Sequence, residues 1–103
     1  MNRLNINDII IDVGFGFGKT SQQNFELLHK LSLFNNLEVP ILTGVSRKSM
    51  LYKLLDTTPD KALNATTVAN TVALLNGTNI LRVHDVKEAI EAIKIVNALE
   101  SIE

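Results

Sequence analysis

Asp12, Lys48, Arg82 and His84 are the residues of this 103-residue chain whose types and spacing could do chemistry together. Each stands at or just past the end of a short apolar run: IIIDV at 9–13, PILTGV at 40–45 and ILRVHDV at 80–86. Such β-branched runs, followed by polar or glycine-rich residues, read as buried strands. In α/β barrels and open α/β sheets, ligands sit at the carboxyl ends of the strands, and all four residues fall there. One carboxylate with two or three cationic groups suits a polar heterocycle that bears an anionic leaving group. An arginine can also stack its planar guanidinium on an aromatic ring.

The stretch DVGFGFGKT at 12–20 ends like a phosphate-binding P-loop. That motif needs a glycine five residues before the Gly-Lys pair, and the position five before Gly18 is Val13. The dinucleotide pattern G-x-G-x-x-G fails as well, because Lys19 stands where the third glycine is needed. What remains is Asp12 at a strand end, then Gly14, Gly16 and Gly18 alternating with Phe15 and Phe17. Glycine lets backbone approach a ligand or take positive φ. The two phenylalanines either pack on a flat ligand or plug the rim of the fold as part of a tight strand-to-helix turn.

After the second run, GVSRKS places Ser46 and Lys48, if the chain stays extended, on one face with Leu42 and Gly44. Ser49 falls where the next helix starts, and a helix N-terminus with a free hydroxyl can receive a carboxylate or phosphate. The plainer alternative is a helix cap beside a solvated basic pair. In the third run Arg82 and His84 share a face read as inward, and a buried arginine is costly unless paired. His29 lies mid-helix and reads as a surface residue.

The elements that must hold these residues follow each strand. Phe25, Leu28, Leu31 and Leu33 or Phe34 mark one helix face, with Thr20 or Ser21 to cap its start and Gln23 three residues after Thr20 as in a capping box. SMLYKLL forms a short helix. TPDKALNATTVANTVALLNG begins with Thr58 as N-cap and Pro59 at the first helical position and stops at Gly77. Asp85 and Glu88 form a second capping box, leading a helix whose apolar side is Ala89, Ile90, Ile93, Val96 and Ala98. The order is β-α-β-α-α-β-α, which implies an α/β fold with parallel strands and right-handed crossovers. Residues 1–103 form one domain, with no linker or clear internal repeat. Three parallel strands make a small sheet with two open edges, and a complete (β/α)8 barrel takes about 250 residues. The element count therefore suits a third of a barrel, whether a truncated form, a proteolytic fragment or a part-barrel in its own right. Open edges predict association into homo-oligomers.

Ten basic and eleven acidic residues give a formal charge of -1, with no electrostatic case for nucleic acid or an anionic membrane. The absence of cysteine excludes disulfides and thiolate metal sites and fits a reducing cytoplasm. The opening MNRLNINDII lacks the apolar run of a secretory signal, and no stretch approaches the roughly 20 residues of a membrane span.

Taken together, DVGFGFGKT, GVSRKS and RVHDV, in this order and spacing, resemble the C-terminal part of the dihydropteroate synthase family over essentially the whole chain. The resemblance implies a (β/α)8 TIM barrel of which this chain supplies the last three strand-helix units. It implies a transferase of folate biosynthesis, the target of sulfonamide inhibitors. The family joins p-aminobenzoate to 6-hydroxymethyl-7,8-dihydropterin diphosphate, releasing pyrophosphate with help from Mg2+. On that resemblance Asp12 meets the amino-pyrimidine edge of the pterin and Lys48 donates to its carbonyl and ring nitrogen. Arg82 stacks over the pterin and, with His84, holds the departing diphosphate. Ser49 and its helix N-terminus take the benzoate carboxylate, and Phe17 packs on that ring. Lys48, Arg82 and His84 would be the catalytic residues. Val13 departs from the family's usual proline, which would stiffen the turn after Asp12. The Asn that binds the metal, further Asp and Asn contacts to the pterin and two mobile loops belong to the family's earlier strands. None of these is in this sequence, so the chain alone is expected not to be a competent synthase. Two other readings are a pterin-binding methyltransferase of corrinoid systems, separable by p-aminobenzoate binding, and a non-catalytic, self-associating part-barrel.

Overall fold

A computed structural model describes residues 10–15 and 20–102. Among the described residues three strands and four α-helices follow one another: β1 (Ile11–Asp12), α1 (Ser21–His29), β2 (Ile41–Thr43), α2 (Ser49–Leu54), α3 (Leu63–Leu75), β3 (Ile80–Leu81) and α4 (Val86–Glu100). Short 3-10 segments at Leu31–Leu37 and Pro59–Lys61 complete the connections after α1 and before α3. The strands form one parallel sheet in the order β1-β2-β3. Ile11 faces Ile41 and Asp12 faces Leu42 across the first pair, while Leu42 faces Ile80 and Thr43 faces Leu81 across the second. This is the expected β-α-β-α-α-β-α order.

The strands are shorter than the apolar runs predict. Past Leu81 the Arg82 N–H still reaches the Thr43 carbonyl at 3.0 Å, and beyond it side-chain partners take over: the Arg47 N–H donates to the Thr66 hydroxyl at 2.9 Å and the His84 N–H to the Ser46 hydroxyl at 3.2 Å. Before the turn, Asn79 stands in for a ladder residue, its Oδ1 accepting from the Ile41 N–H at 2.9 Å.

The capping box at α1 forms as predicted, with Gln23 N–H donating to the Thr20 hydroxyl and Thr20 N–H to the Gln23 amide oxygen. The helix stops at His29, and its apolar face continues in the tighter 3-10 segment, where residues three apart eclipse. Leu28 and Leu31 are thus buried, Phe34 is half-buried, and Leu33 turns outward. Two start signals are corrected. Thr58 and Pro59 begin the 3-10 turn, where the Thr58 hydroxyl donates to Asp60; α3 itself starts at Leu63. Asp85 is the N-cap of α4 without capping it by its side chain. Its carboxylate binds the Arg47 guanidinium instead, a charge-assisted bidentate pair that outcompetes a backbone N–H. On α4 the buried positions are Ala89, Ala92 and Val96, whereas Ile90 and Ala98 are exposed. The small residues let α4 lie close against α3, itself buried through Ala65, Ala69 and Ala73.

The main core joins Ile41 and Val45 around β2 with Leu28, Leu31, Met50 and Leu51 from the helices. Phe15 is 1% exposed and belongs to this core, with Val13 packed beside it. Of the two roles open to Phe15, the structure selects the plug. Phe17 lies outside the described residues.

Candidate functional site

The carboxyl ends of the strands carry the polar cluster. Asp12 ends β1, and its Oδ1 accepts from the Gly14 N–H at 3.0 Å. Directly after that bond the backbone turns, with a φ of 74° at Gly14, a value that favours glycine. The other carboxylate oxygen accepts from the Arg82 guanidinium at 3.0 Å. The Gly14 N–H, followed by the Arg82 hydrogen bond and charge, holds the Asp12 carboxyl below the usual aspartate range.

To reach Asp12 from β3, Arg82 must cross the central strand. It does so over Gly44, where an added Cβ would lie 2.7 Å from the guanidinium Nη2 and 2.9 Å from Nε. Arg82 is not buried, contrary to the inward reading: its side chain keeps 53% exposure, and that of its partner Asp12 keeps 40%. The pair is a solvent-facing bridge across the sheet's end.

Lys48 is the N-cap residue of α2, and its ammonium donates to the Phe15 carbonyl at 2.5 Å. Burial lowers its pKa, repulsion from Arg82 adds to that, and Asp12 opposes it. The assumption that β2 stays extended through residue 48 fails. Arg47 has a φ of 54°, and the Lys48 N–H closes a turn onto the Val45 carbonyl at 3.1 Å. Gly44, Ser46 and Lys48 nevertheless line one cleft of about 140 Å³ together with Arg82 and His84. The turn delivers by curvature what alternation would have delivered by extension.

His84 is exposed but held at one ring edge, Nδ1 lying 2.8 Å from the Ser46 hydroxyl. Ser49 opens α2 and is exposed. His29 is exposed as expected, at the rim of a larger, mostly apolar groove between α1, α2 and α3 that lies apart from the polar cluster.

Arg47 and Ser46 hold the site together more than their sequence context announces. The Arg47 guanidinium holds both oxygens of Asp85, at 2.9 and 3.1 Å, and donates to the Pro59 carbonyl at 2.7 Å. Ser46 is 6% exposed. A signal was available: Ser46 pairs with His84 and Arg47 with Asp85, both across 38 residues, so adjacent complementary residues in two motifs matched in register.

Two cations against one carboxylate leave the cleft positive, so it can receive an anion, while Asp12 can accept paired N–H donors once Arg82 releases it. Among the described residues no group of three or more His, Cys, Asp or Glu gathers to hold a metal ion. Asp12 and Asp85 are each engaged by a guanidinium. These residues do not fit a resident divalent cation.

Comparison with known proteins bears on the same residues. A family described as pterin binding enzyme matches residues 3–84. Dihydropteroate synthase of Escherichia coli (strain K12) is 42% identical over 90 residues, covering 87% of this chain and 32% of that protein. Dihydropteroate synthase of Bacillus subtilis (strain 168) is 35% identical over 92 residues, covering 89% of this chain and 32% of its own length. Among solved structures, a Yersinia pestis DHPS with a pterine-sulfa conjugate superposes with a TM-score of 0.92 at 42% identity, over 94% of this chain and 38% of that one. A Coxiella burnetii dihydropteroate synthase in complex with pteroic acid gives 0.87 at 43% identity, over 92% of this chain and 36% of that one. The superposed proteins are TIM barrels. The chain spans about a third of the length of the curated relatives it matches.

Proposed function

The chain belongs to the pterin-binding enzyme family, and on that premise we propose that it carries one wall of a dihydropteroate synthase active site. The observation that supports this most is the convergence of Asp12, Lys48, Arg82 and His84 at the sheet's carboxyl end, the last three on one cleft with Asp12 bridged to Arg82.

In this reading the Asp12 carboxylate, already held ionised by the Gly14 N–H, accepts the two N–H donors of the pterin's amino-pyrimidine edge. Lys48 donates to the pterin carbonyl and ring nitrogen. Its ammonium is partly desolvated and anchored to the Phe15 carbonyl, so it is aimed before a ligand arrives. Arg82, released from Asp12, lays its guanidinium over the pterin plane. With His84 it then meets the charge that grows on the diphosphate as the bond to the pterin's methylene carbon breaks and the arylamine nitrogen of p-aminobenzoate attacks. Ser49 faces the benzoate carboxylate, which a sulfonamide would mimic, and Phe17 packs on its ring. Mg2+ on the diphosphate would need ligands other than the described residues. A cytoplasmic setting and self-association through the open sheet edges complete the proposal.

Titration of pteroic acid into the purified chain, beside Lys48→Ala, tests it. Saturable binding that falls at least tenfold in Lys48→Ala is expected, without synthase turnover by the 103-residue polypeptide. A chain that melts cooperatively and binds no pteroic acid would defeat the proposal.

A further inference from the structure

We infer that Ser46 is a positioning residue for His84, holding the imidazole through Nδ1 and leaving Nε2 with its proton as the donor available to a bound anion. The inference rests on the reading above that His84 meets an anionic group.

The hydrogen-bond accounting at Ser46 carries it. A serine hydroxyl has one proton and two acceptor lone pairs. The His84 backbone N–H already donates to Ser46 Oγ, at 3.2 Å. If Nδ1 donated into the second lone pair, the hydroxyl's own proton would find no acceptor among the described residues; pointed at Nδ1, 2.8 Å away, it has one. A neutral ring that accepts at Nδ1 carries its proton on Nε2. Ser46 is only 6% exposed, so little water competes for its hydroxyl.

Ser46 is itself held on both sides. Behind it the Lys48 N–H closes the turn onto Val45, and beside it the Arg47 N–H donates to the buried Thr66 hydroxyl. The Arg47 guanidinium then grips Asp85, the residue after His84. Residues 46–47 and 84–85 are therefore joined three times, through the ring, through the His84 backbone N–H and through the ion pair. A ring anchored at one nitrogen and flanked by this clamp is fixed in orientation, as a group that must meet developing charge without reorganising should be.

The test reads the ring directly. In histidine-labelled protein at about pH 8, where imidazole is neutral, long-range proton–nitrogen correlation distinguishes protonated from unprotonated ring nitrogens. His29→Gln assigns the signals. For His84, an unprotonated Nδ1 and a protonated Nε2 are expected. Ser46→Ala should move both nitrogens toward the average of two tautomers and weaken binding of inorganic pyrophosphate about five- to tenfold. Ser46→Thr, which keeps the hydroxyl, should restore both. A proton on Nδ1 in the unaltered chain overturns the inference, as do ring signals unchanged by Ser46→Ala. If Ser46→Ala does not fold, the unaltered chain and Ser46→Thr still decide, because the Nδ1 signal alone can contradict it. Pyrophosphate that fails to bind the unaltered chain counts against the anion role of His84, while the ring signals judge Ser46 separately.

Discussion

Arg82 occupies the space that a side chain at position 44 would take, so Gly44 matters to the site without contributing an atom to its chemistry. The contacts a new Cβ would meet, at 2.7–3.0 Å, are all with the end of a flexible side chain. The backbone at Gly44 is outside the positive-φ region, so alanine is conformationally acceptable there. Gly44→Ala should therefore leave stability within about 0.5 kcal/mol, because Arg82 moves aside and an exposed ion pair stabilises the fold little. It should still weaken pteroic acid binding about tenfold, because Arg82 can no longer lie across β2. Thermal melts beside ligand titration separate the two effects. A large loss of stability with affinity unchanged would show that Gly44 serves packing and not the placement of Arg82.

Between elements, the decisive link is the Arg47–Asp85 pair, which ties the turn before α2 to the start of α4. The Arg47 guanidinium holds the Asp85 carboxyl below the ordinary value of 3.8, and Asp12 is lowered too, first through the Gly14 N–H. A carboxyl whose pKa is lower in the folded chain than in the unfolded one contributes stability above the unfolded value. That contribution is lost as pH falls through the folded value. The fold should thus be indifferent to pH near neutrality in this respect and weaken below 3.8. Asp85→Asn should lower the melting midpoint at neutral pH by a few degrees and make the acid limb shallower. Midpoints followed from neutral pH down to about pH 2 would check this. An acid limb as steep as that of the unaltered chain would assign the acid sensitivity to other carboxyls.

At the scale of the molecule, the chain is a slab and its sheet is not closed. Its extents are 47 × 36 × 22 Å, and its radius of gyration of 14.4 Å exceeds the roughly 13 Å usual for this length. Helix α4 presents Val86, Ile90, Ile95 and Leu99 at 46–69% exposure, and α3 presents Val68, Val72 and Leu75. Among the described residues β1 and β3 each pair on one side only. Open parallel edges beside apolar helix surfaces favour association. Sedimentation across micromolar concentrations should therefore show oligomers that dissociate on dilution. Monomer throughout would overturn this.

The sequence by itself determined the element order and the strand ends as the place where Asp12, Lys48, Arg82 and His84 meet. Hydrophobic runs and helix signals such as the Thr20–Gln23 box are local, and a parallel sheet brings successive strand ends together whatever the side chains do in detail. It could not determine the partners. Asp85 and Glu88 satisfy a capping-box pattern, yet Arg47 lies 38 residues away and binds Asp85 more strongly than a backbone N–H would. Arg82 looked buried because alternation was carried past Leu81, whereas the strand ends there and the side chain runs across Gly44 to Asp12. Ser46 meets the His84 ring across 38 residues, and the positive φ at Arg47 turns the chain directly after it; no periodicity announces either. Local pattern fixes which elements form and in what order. Competition among side chains distant in sequence decides which polar groups each one finally meets, and that is settled only once the chain is packed.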